Sequence, residues 1–210
     1  LKKVEERIPL RPGCHPVSIC QHREKEKKFL SENGFGCANF VLAHDLISFT
    51  KGLSQINSPS IVKTAEFGYD GKGQHRLPKQ PSSEEIGQAW KEFNEGRVVI
   101  EECITLESEI SILVVRTPKG KIVNYDPVEN IHRNHILDLS IVPARIPQNY
   151  LNLACETASE IADCLNYVGL LAVEFFLSSD GRLIVNEIAP RPHNSGHHTI
   201  NSCAHQVAQV

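Results

Sequence analysis

The stretch Val173-Glu174-Phe175-Phe176-Leu177-Ser178-Ser179-Asp180-Gly181-Arg182-Leu183-Ile184-Val185-Asn186-Glu187 decides how this chain is read. Two apolar runs flank Asp180-Gly181, a strong short-range signal for a β-hairpin. With those two residues as the loop, Ser179 faces Arg182. Counting outward then places Glu174 opposite Glu187. Cross-strand neighbours hold their Cβ atoms roughly 5 Å apart. Two carboxylates at that spacing repel unless something positive sits between them. A hard divalent cation meets the need, and Mg²⁺ usually brings phosphates with it. The plainer alternative is an exposed hairpin carrying a solvated acidic pair. The tail Ile188-Ala189-Pro190-Arg191-Pro192-His193-Asn194-Ser195-Gly196-His197 is dense in hydrogen-bonding side chains, and Arg191 and Asn194 suit a phosphate or carboxylate ligand.

Bulk composition narrows the field. With 210 residues, 22% charged and a net charge of −3, the balance points to neither nucleic acid nor an anionic membrane as partner. No apolar run approaches the roughly 20 residues of a membrane helix. The seven cysteines form no CxxC pair and read as reduced thiols of a cytoplasmic protein. His193 and His197 have helical metal-ligand spacing, but Pro192 and Gly196 argue against a helix there, so zinc is not expected. The chain has no Met and starts on Leu1-Lys2-Lys3, which suggests a longer polypeptide.

Local signals give an α+β class with antiparallel sheets. Residues 1–20, with Pro9, Pro12 and Pro16, read as an extended lead-in. Arg23–Asn33 reads as a charged helix stopped by Gly34, and His44–Gln55 as a second helix. Ser60–Lys63 reads as a buried strand ending in a lysine. Ser82 and Glu85 form a capping box for a helix running to about Asn94. Arg97–Ile104, Glu107–Arg116 and Ile122–Tyr125 read as strands. Gln148–Tyr167 is the clearest helix, with Leu151, Ala154, Ala158, Ile161 and Leu165 on one face.

Further residues suggest phosphate chemistry. Gly68-Tyr69-Asp70-Gly71-Lys72-Gly73-Gln74 is a glycine-rich loop able to aim N–H groups at phosphates. A plain turn at Asp70-Gly71 explains it equally well. Lys63, just before it, is either a surface lysine or a phosphate ligand. Glu101-Glu102-Cys103-Ile104 ends an apolar strand and could surface into solvent or offer backbone groups to a base. Glu109 could accept from ribose hydroxyls.

Taken together, these motifs resemble the ATP-grasp superfamily, and within it the carboxyaminoimidazole ribonucleotide synthetase family (the ATPase subunit of phosphoribosylaminoimidazole carboxylase). The resemblance runs from about Val17 to about Gln206. It implies two lobes with antiparallel sheets enclosing a nucleotide: a small lobe over 21–96 and a large lobe over 97–210, with N- and C-terminal domains missing. It implies Arg23 and Lys63 as ATP phosphate ligands. The loop holding Gly68, Gly71, Lys72, Gly73 and Gln74 becomes the lid. Glu101, Glu102, Cys103 and Ile104 become the adenine hinge, Glu109 the ribose ligand, and His132 a neighbour of the nucleotide. Glu174 and Glu187 become Mg²⁺ ligands with Asn186 beside them. Tyr69, Asp70, Arg191, His193, Asn194 and Ser195 would surround bicarbonate and aminoimidazole ribonucleotide. The implied activity is ATP- and bicarbonate-dependent carboxylation of that ribonucleotide in purine biosynthesis, by a cytoplasmic homodimer. The alternatives are a formate-dependent glycinamide ribonucleotide transformylase and a non-catalytic ATP-binding module. One departure is His22, which stands where the family commonly has an acidic residue.

Overall fold

Residues 1–66, 73–94, 96–134 and 136–204 are described by the structure, a computed structural model. In chain order the elements begin with α1 (Lys2–Glu5), α2 (Cys14–Cys20), α3 (Arg23–Glu32), β1 (Phe40–Ala43), α4 (Leu46–Gln55), β2 (Ser60–Thr64), β3 (Gln74–Leu77), α5 (Ser83–Glu92) and β4 (Val98–Glu102). They continue with β5 (Leu106–Arg116), β6 (Ile122–Asn124), β7 (Val128–Arg133), β8 (Ile136–Ile141), α6 (Gln148–Cys164), β9 (Gly169–Ser178), β10 (Leu183–Ala189), a 3₁₀ turn (Asn194–Gly196) and α7 (Thr199–Ser202). None of the helices is long and apolar enough to cross a membrane, among the described residues.

The chain divides into two units, His22–Thr105 and Leu1–Gln21 with Leu106–Val210. The division falls after Thr105 rather than at 96–97, because β4 pairs with both β1 and β2. Residues 1–21 are also not a simple extended lead-in. α2 forms there and packs on β10. Pro16 sits in its first turn, where a missing N–H costs no helical hydrogen bond.

The first unit carries a four-stranded sheet in the order β1-β4-β2-β3, each pair antiparallel. Ser82 and Glu85 cap α5 reciprocally, as the sequence pattern expects, and Asp45 and Ser48 do the same for α4. Phe49 of α4 meets Trp90 of α5 with ring centroids 5.2 Å apart. Both rings pack in a core with Leu53, Val62, Leu77 and Ile100. Each such side chain, fully buried, stabilises the fold by about 1.5–3 kcal/mol.

The second unit is a six-stranded antiparallel sheet, β10-β9-β5-β7-β8, with β6 on β5. α6 packs on β5, β6 and β9 through Ala154, Ala158, Ile161 and Ala162. Asn124, paired with Val114, donates to the Cys155 carbonyl at 3.2 Å and the Ser159 hydroxyl at 2.9 Å. That marks the Val114 face as the one α6 covers. Strand alternation then turns Glu109, Ser111, Asn130, His132 and Glu174 to the opposite face.

The hairpin differs from its expected form in an instructive way. Ser178 N–H donates to the Arg182 carbonyl at 2.9 Å, closing a three-residue loop instead of a two-residue one. Leu183 therefore faces Leu177, one residue out of the expected register. An irregularity between Val185 and Glu187 then absorbs Asn186, and Glu187 returns to face Glu174. Two one-residue offsets cancel. Gly181 ends the loop at φ +83, and its carbonyl accepts from Tyr150 Oη at 3.1 Å. A Cβ there would lie 3.2 Å from that hydroxyl. Gly181→Val is therefore expected to lower stability by about 1–2 kcal/mol, read as a shift in urea midpoint. An unchanged midpoint would mean the loop can adopt a right-handed alternative.

Candidate active site

In the first unit the candidate residues centre on a buried carboxylate. Glu101, on the central strand β4, is 3% exposed. Its Oε2 accepts from Lys63 Nζ at 3.0 Å and lies 3.2 Å from Lys27 Nζ. Lys63 comes from β2 beside it, and Lys27 from α3. Burial disfavours all three charges. Glu101 nonetheless stays ionised, brought down to about 2, because Lys63 and Lys27 outweigh its burial. Burial pushes Lys63 below its ordinary range, with Lys27 and Arg23 adding to the effect against Glu101. Lys27 ends above its ordinary value, because Glu101 and Glu26 more than offset burial. Lys27 carries no local signal, since it lies in the charge run Arg23-Glu24-Lys25-Glu26-Lys27-Lys28. In the fold, α3 buries Glu26, Lys27 and Leu30.

The rest of the expected hinge is partly committed. Glu102 accepts from Asn39 N and Nδ2, both at 3.1 Å. The N–H groups of Glu102 and Cys103 donate to the carbonyls of Asn39 (2.9 Å) and Pro59 (2.8 Å). A base edge at Glu101–Ile104 would thus be met by other backbone groups of the segment. Arg23 N–H donates to the Ala65 carbonyl at 2.9 Å, fixing the start of α3 against the end of β2. His22 Nε2 lies 3.1 Å from Glu66 Oε1. Gly73 and Gln74 lead into β3, with Gln74 opposite Lys63 and the Gly73 carbonyl accepting from Thr64 at 2.9 Å. Gly68, Tyr69, Asp70, Gly71 and Lys72 lie outside the described residues.

In the second unit, Ser111, Glu174 and Glu187 form one cross-strand row over β5, β9 and β10. The bulge brings Asn186 to the same place, where its Nδ2 donates to Glu174 Oε2 at 3.2 Å. His193 Nε2 lies 3.0 Å from the other oxygen, Oε1. His193 Nδ1 is 2.9 Å from the hydroxyl of Ser195 and accepts from the Ser195 N–H at 3.4 Å. These partners assign the ring proton to Nε2, facing Glu174. Burial alone would raise the Glu174 carboxyl. The hydrogen bond from His193, with His132 nearby and the hydrogen bond from Asn186, holds it below its usual range. His132 Nδ1 lies 2.9 Å from Glu109 Oε2, close but without hydrogen-bond alignment. The Glu109 contact raises His132 above its ordinary value against the effect of burial. Next to this row, Asn130 Nδ2 donates to Ser111 Oγ at 3.0 Å.

The structure sorts the tail residues. Ser195 is fully buried and supports His193. Arg191 and Asn194 are exposed, and the Arg191 guanidinium donates to the Pro192 carbonyl at 3.0 Å. Glu109, expected at a ribose, is paired with His132.

Two antiparallel sheets, a buried lysine pair and a carboxylate row define a class. The ATP-grasp domain family matches residues 28–207, and the chain belongs to it. Among its relatives is N5-carboxyaminoimidazole ribonucleotide synthase of Bacillus subtilis, 40% identical over 191 residues, covering 91% of this chain and 50% of that protein. The N5-carboxyaminoimidazole synthetase of Staphylococcus aureus, solved with ADP, matches at TM-score 0.92 and 33% identity over 100% of this chain and 55% of that one. The Aspergillus clavatus synthase, solved with ADP and 5-aminoimidazole ribonucleotide, matches at TM-score 0.88 and 25% identity over 99% and 54%. The chain spans about half the length of the curated relatives it matches.

Proposed function

We propose that this protein binds Mg-ATP and supports bicarbonate-dependent carboxylation of aminoimidazole ribonucleotide. The observation that carries the reading is the Glu174–Glu187 row with Asn186 at its bulge. Two facing carboxylates with an amide beside them offer hard oxygen donors. They fit Mg²⁺, which takes one or two carboxylates and completes its shell with phosphate oxygens and water. Bound there, Mg²⁺ would neutralise charge on the phosphate oxygens during transfer.

The chain's own groups supply the remaining needs. Lys63 offers positive charge to the phosphates. His193, held by Ser195, orients Glu174. His132, anchored by Glu109, lies near the nucleotide. In the first step a bicarbonate oxygen attacks the γ-phosphorus, the bond to the β–γ bridging oxygen breaks, and ADP leaves with the electron pair. The product is carboxyphosphate. The exocyclic amine of the ribonucleotide then forms a bond to the carboxyl carbon and loses a proton as inorganic phosphate departs.

The test is ADP release by the intact gene product. Release that depends on bicarbonate together with aminoimidazole ribonucleotide is the expected result. Release driven by formate and glycinamide ribonucleotide, or none with either pair, would overturn the reading.

A further inference from the structure

Lys27 is the most deeply buried cation described, at 1% exposure, and no role assigned so far uses it. An ammonium taken that far from water needs a compensating charge. Its partner Glu101 is already paired with Lys63, and both lysines approach the same oxygen, at 3.2 and 3.0 Å. Oε1 of Glu101 is buried without a hydrogen-bond partner among the described residues. Two ammonium groups therefore share one carboxylate oxygen while the second goes unused.

Stability alone does not account for this. A Lys63–Glu101 pair is neutral without Lys27, and an apolar side chain in place of a buried ion is often neutral or stabilising. What Lys27 changes is the charge left on Lys63. Alone with Glu101, Lys63 would be a closed pair with little attraction for an incoming anion. With Lys27 on the same oxygen, that carboxylate is divided. We propose that Lys27 is a positioning residue for nucleotide phosphates: by sharing Glu101 Oε2 it leaves the Lys63 ammonium with unspent charge for an anionic ligand. The inference rests on Lys63 being a phosphate ligand.

The groups acting on Lys63 are Glu101 from β4 and Lys27 and Arg23 from α3. Glu101, Glu26 and Cys37 all act on Lys27 and favour its charged form against burial. Removing the Lys27 charge takes a cation away from Lys63 and gives it Glu101 undivided. Lys63 then keeps its proton to higher pH and yet binds phosphate less well. A residue that only supports the fold would not produce that pair of opposite changes.

The test compares Lys27→Met, close in length but uncharged, with Lys27→Arg, which keeps the charge. Mg-ATP affinity is measured by calorimetry from neutral pH up to the lysine range near ~10.4, with thermal melting recorded alongside. Lys27→Met is expected to stay folded, to bind Mg-ATP about 10-fold more weakly at neutral pH, the size of an ordinary coupling between sites, and to lose its remaining affinity at higher pH than wild type. Lys27→Arg should recover most of the affinity. Should Lys27→Met not fold, Lys27→Gln makes the same comparison. Unchanged affinity and an unmoved alkaline limb in the folded neutral variant would overturn the proposal. Lys63→Met separates the two readings. If it binds Mg-ATP like wild type, the phosphate reading of Lys63 fails and the Lys27 proposal with it. If it abolishes binding while Lys27→Met does not weaken it, only the Lys27 proposal falls.

Discussion

Glu101→Gln is expected to destabilise the first unit by about 3–5 kcal/mol, the usual cost of removing one partner from a buried ion pair. Glutamine has nearly the same shape and keeps an acceptor for one lysine, so the loss reports charge and not packing. Lys27 and Lys63 would both remain inside, at 1% and 7% exposure, without their shared carboxylate. Domains have only about 5–15 kcal/mol of stability in total, so a large fraction is at stake. The measurement is a urea titration, with hydrogen exchange of β2 and β4 amides to locate the loss. A change under about 1 kcal/mol, typical of a surface salt bridge, would show that water reaches the lysines.

The same carboxylate sets an acid dependence. Its folded pKa, about 2, lies below the ordinary 4.5. A carboxyl depressed by folding contributes its full stability above the ordinary value and loses it as pH falls through the folded one. Wild type should therefore lose melting temperature progressively from pH 4.5 toward 2, the window set by those two values. Glu101→Gln, with nothing to titrate there, should show a flatter curve.

Much of this was legible in the chain because local chemistry and tertiary structure agree. The capping box at Ser82, the apolar face of α6 and the Asp180-Gly181 turn each follow from side-chain chemistry within a few residues. What escaped depends on long-range partners. A bulge at Asn186 has no composition signature, since one extra residue in a strand is recognised only by its partner's register. Glu174 and Glu187 were matched because the loop offset and the bulge offset have opposite sense. β7 was missed because Val128–Arg133 mixes polar and apolar residues without strong alternation, whereas β8 does carry the period-2 pattern of a strand over Leu137-Asp138-Leu139-Ser140-Ile141. Lys27 was invisible for a different reason: on α3 a buried charge and a solvated one look alike until the carboxylate 74 positions later, Glu101, is seen beside it. Ser195 read as a substrate contact, but its complete burial makes it a support for His193.

Glu187→Gln should reduce ATP turnover at least about 10²-fold, the scale of losing one dedicated electrostatic contact in phosphoryl or acyl transfer. Glu174 Oε1 faces His193 at 3.0 Å, and Glu174 Oε2 accepts from Asn186 at 3.2 Å. Each oxygen retains lone pairs for a cation, but neither can swing away to replace a missing neighbour without breaking those contacts. The cation would then depend on Glu187 for its second anionic oxygen. Glutamine in that place offers a neutral carbonyl, a much weaker partner for Mg²⁺. The fold should be spared, because the exchange preserves shape on a partly buried strand position and leaves the β9–β10 backbone pairing intact. A shift in melting stability within about 1 kcal/mol is expected, in the range of ordinary substitutions. The decisive measurements are ADP release at saturating Mg-ATP and Mn²⁺ affinity by electron paramagnetic resonance in the presence of nucleotide. Both should fall together. Turnover near wild type in a folded Glu187→Gln protein would remove Glu187 from the metal site, and would reduce the facing carboxylates to an acidic pair held apart by His193 and Asn186.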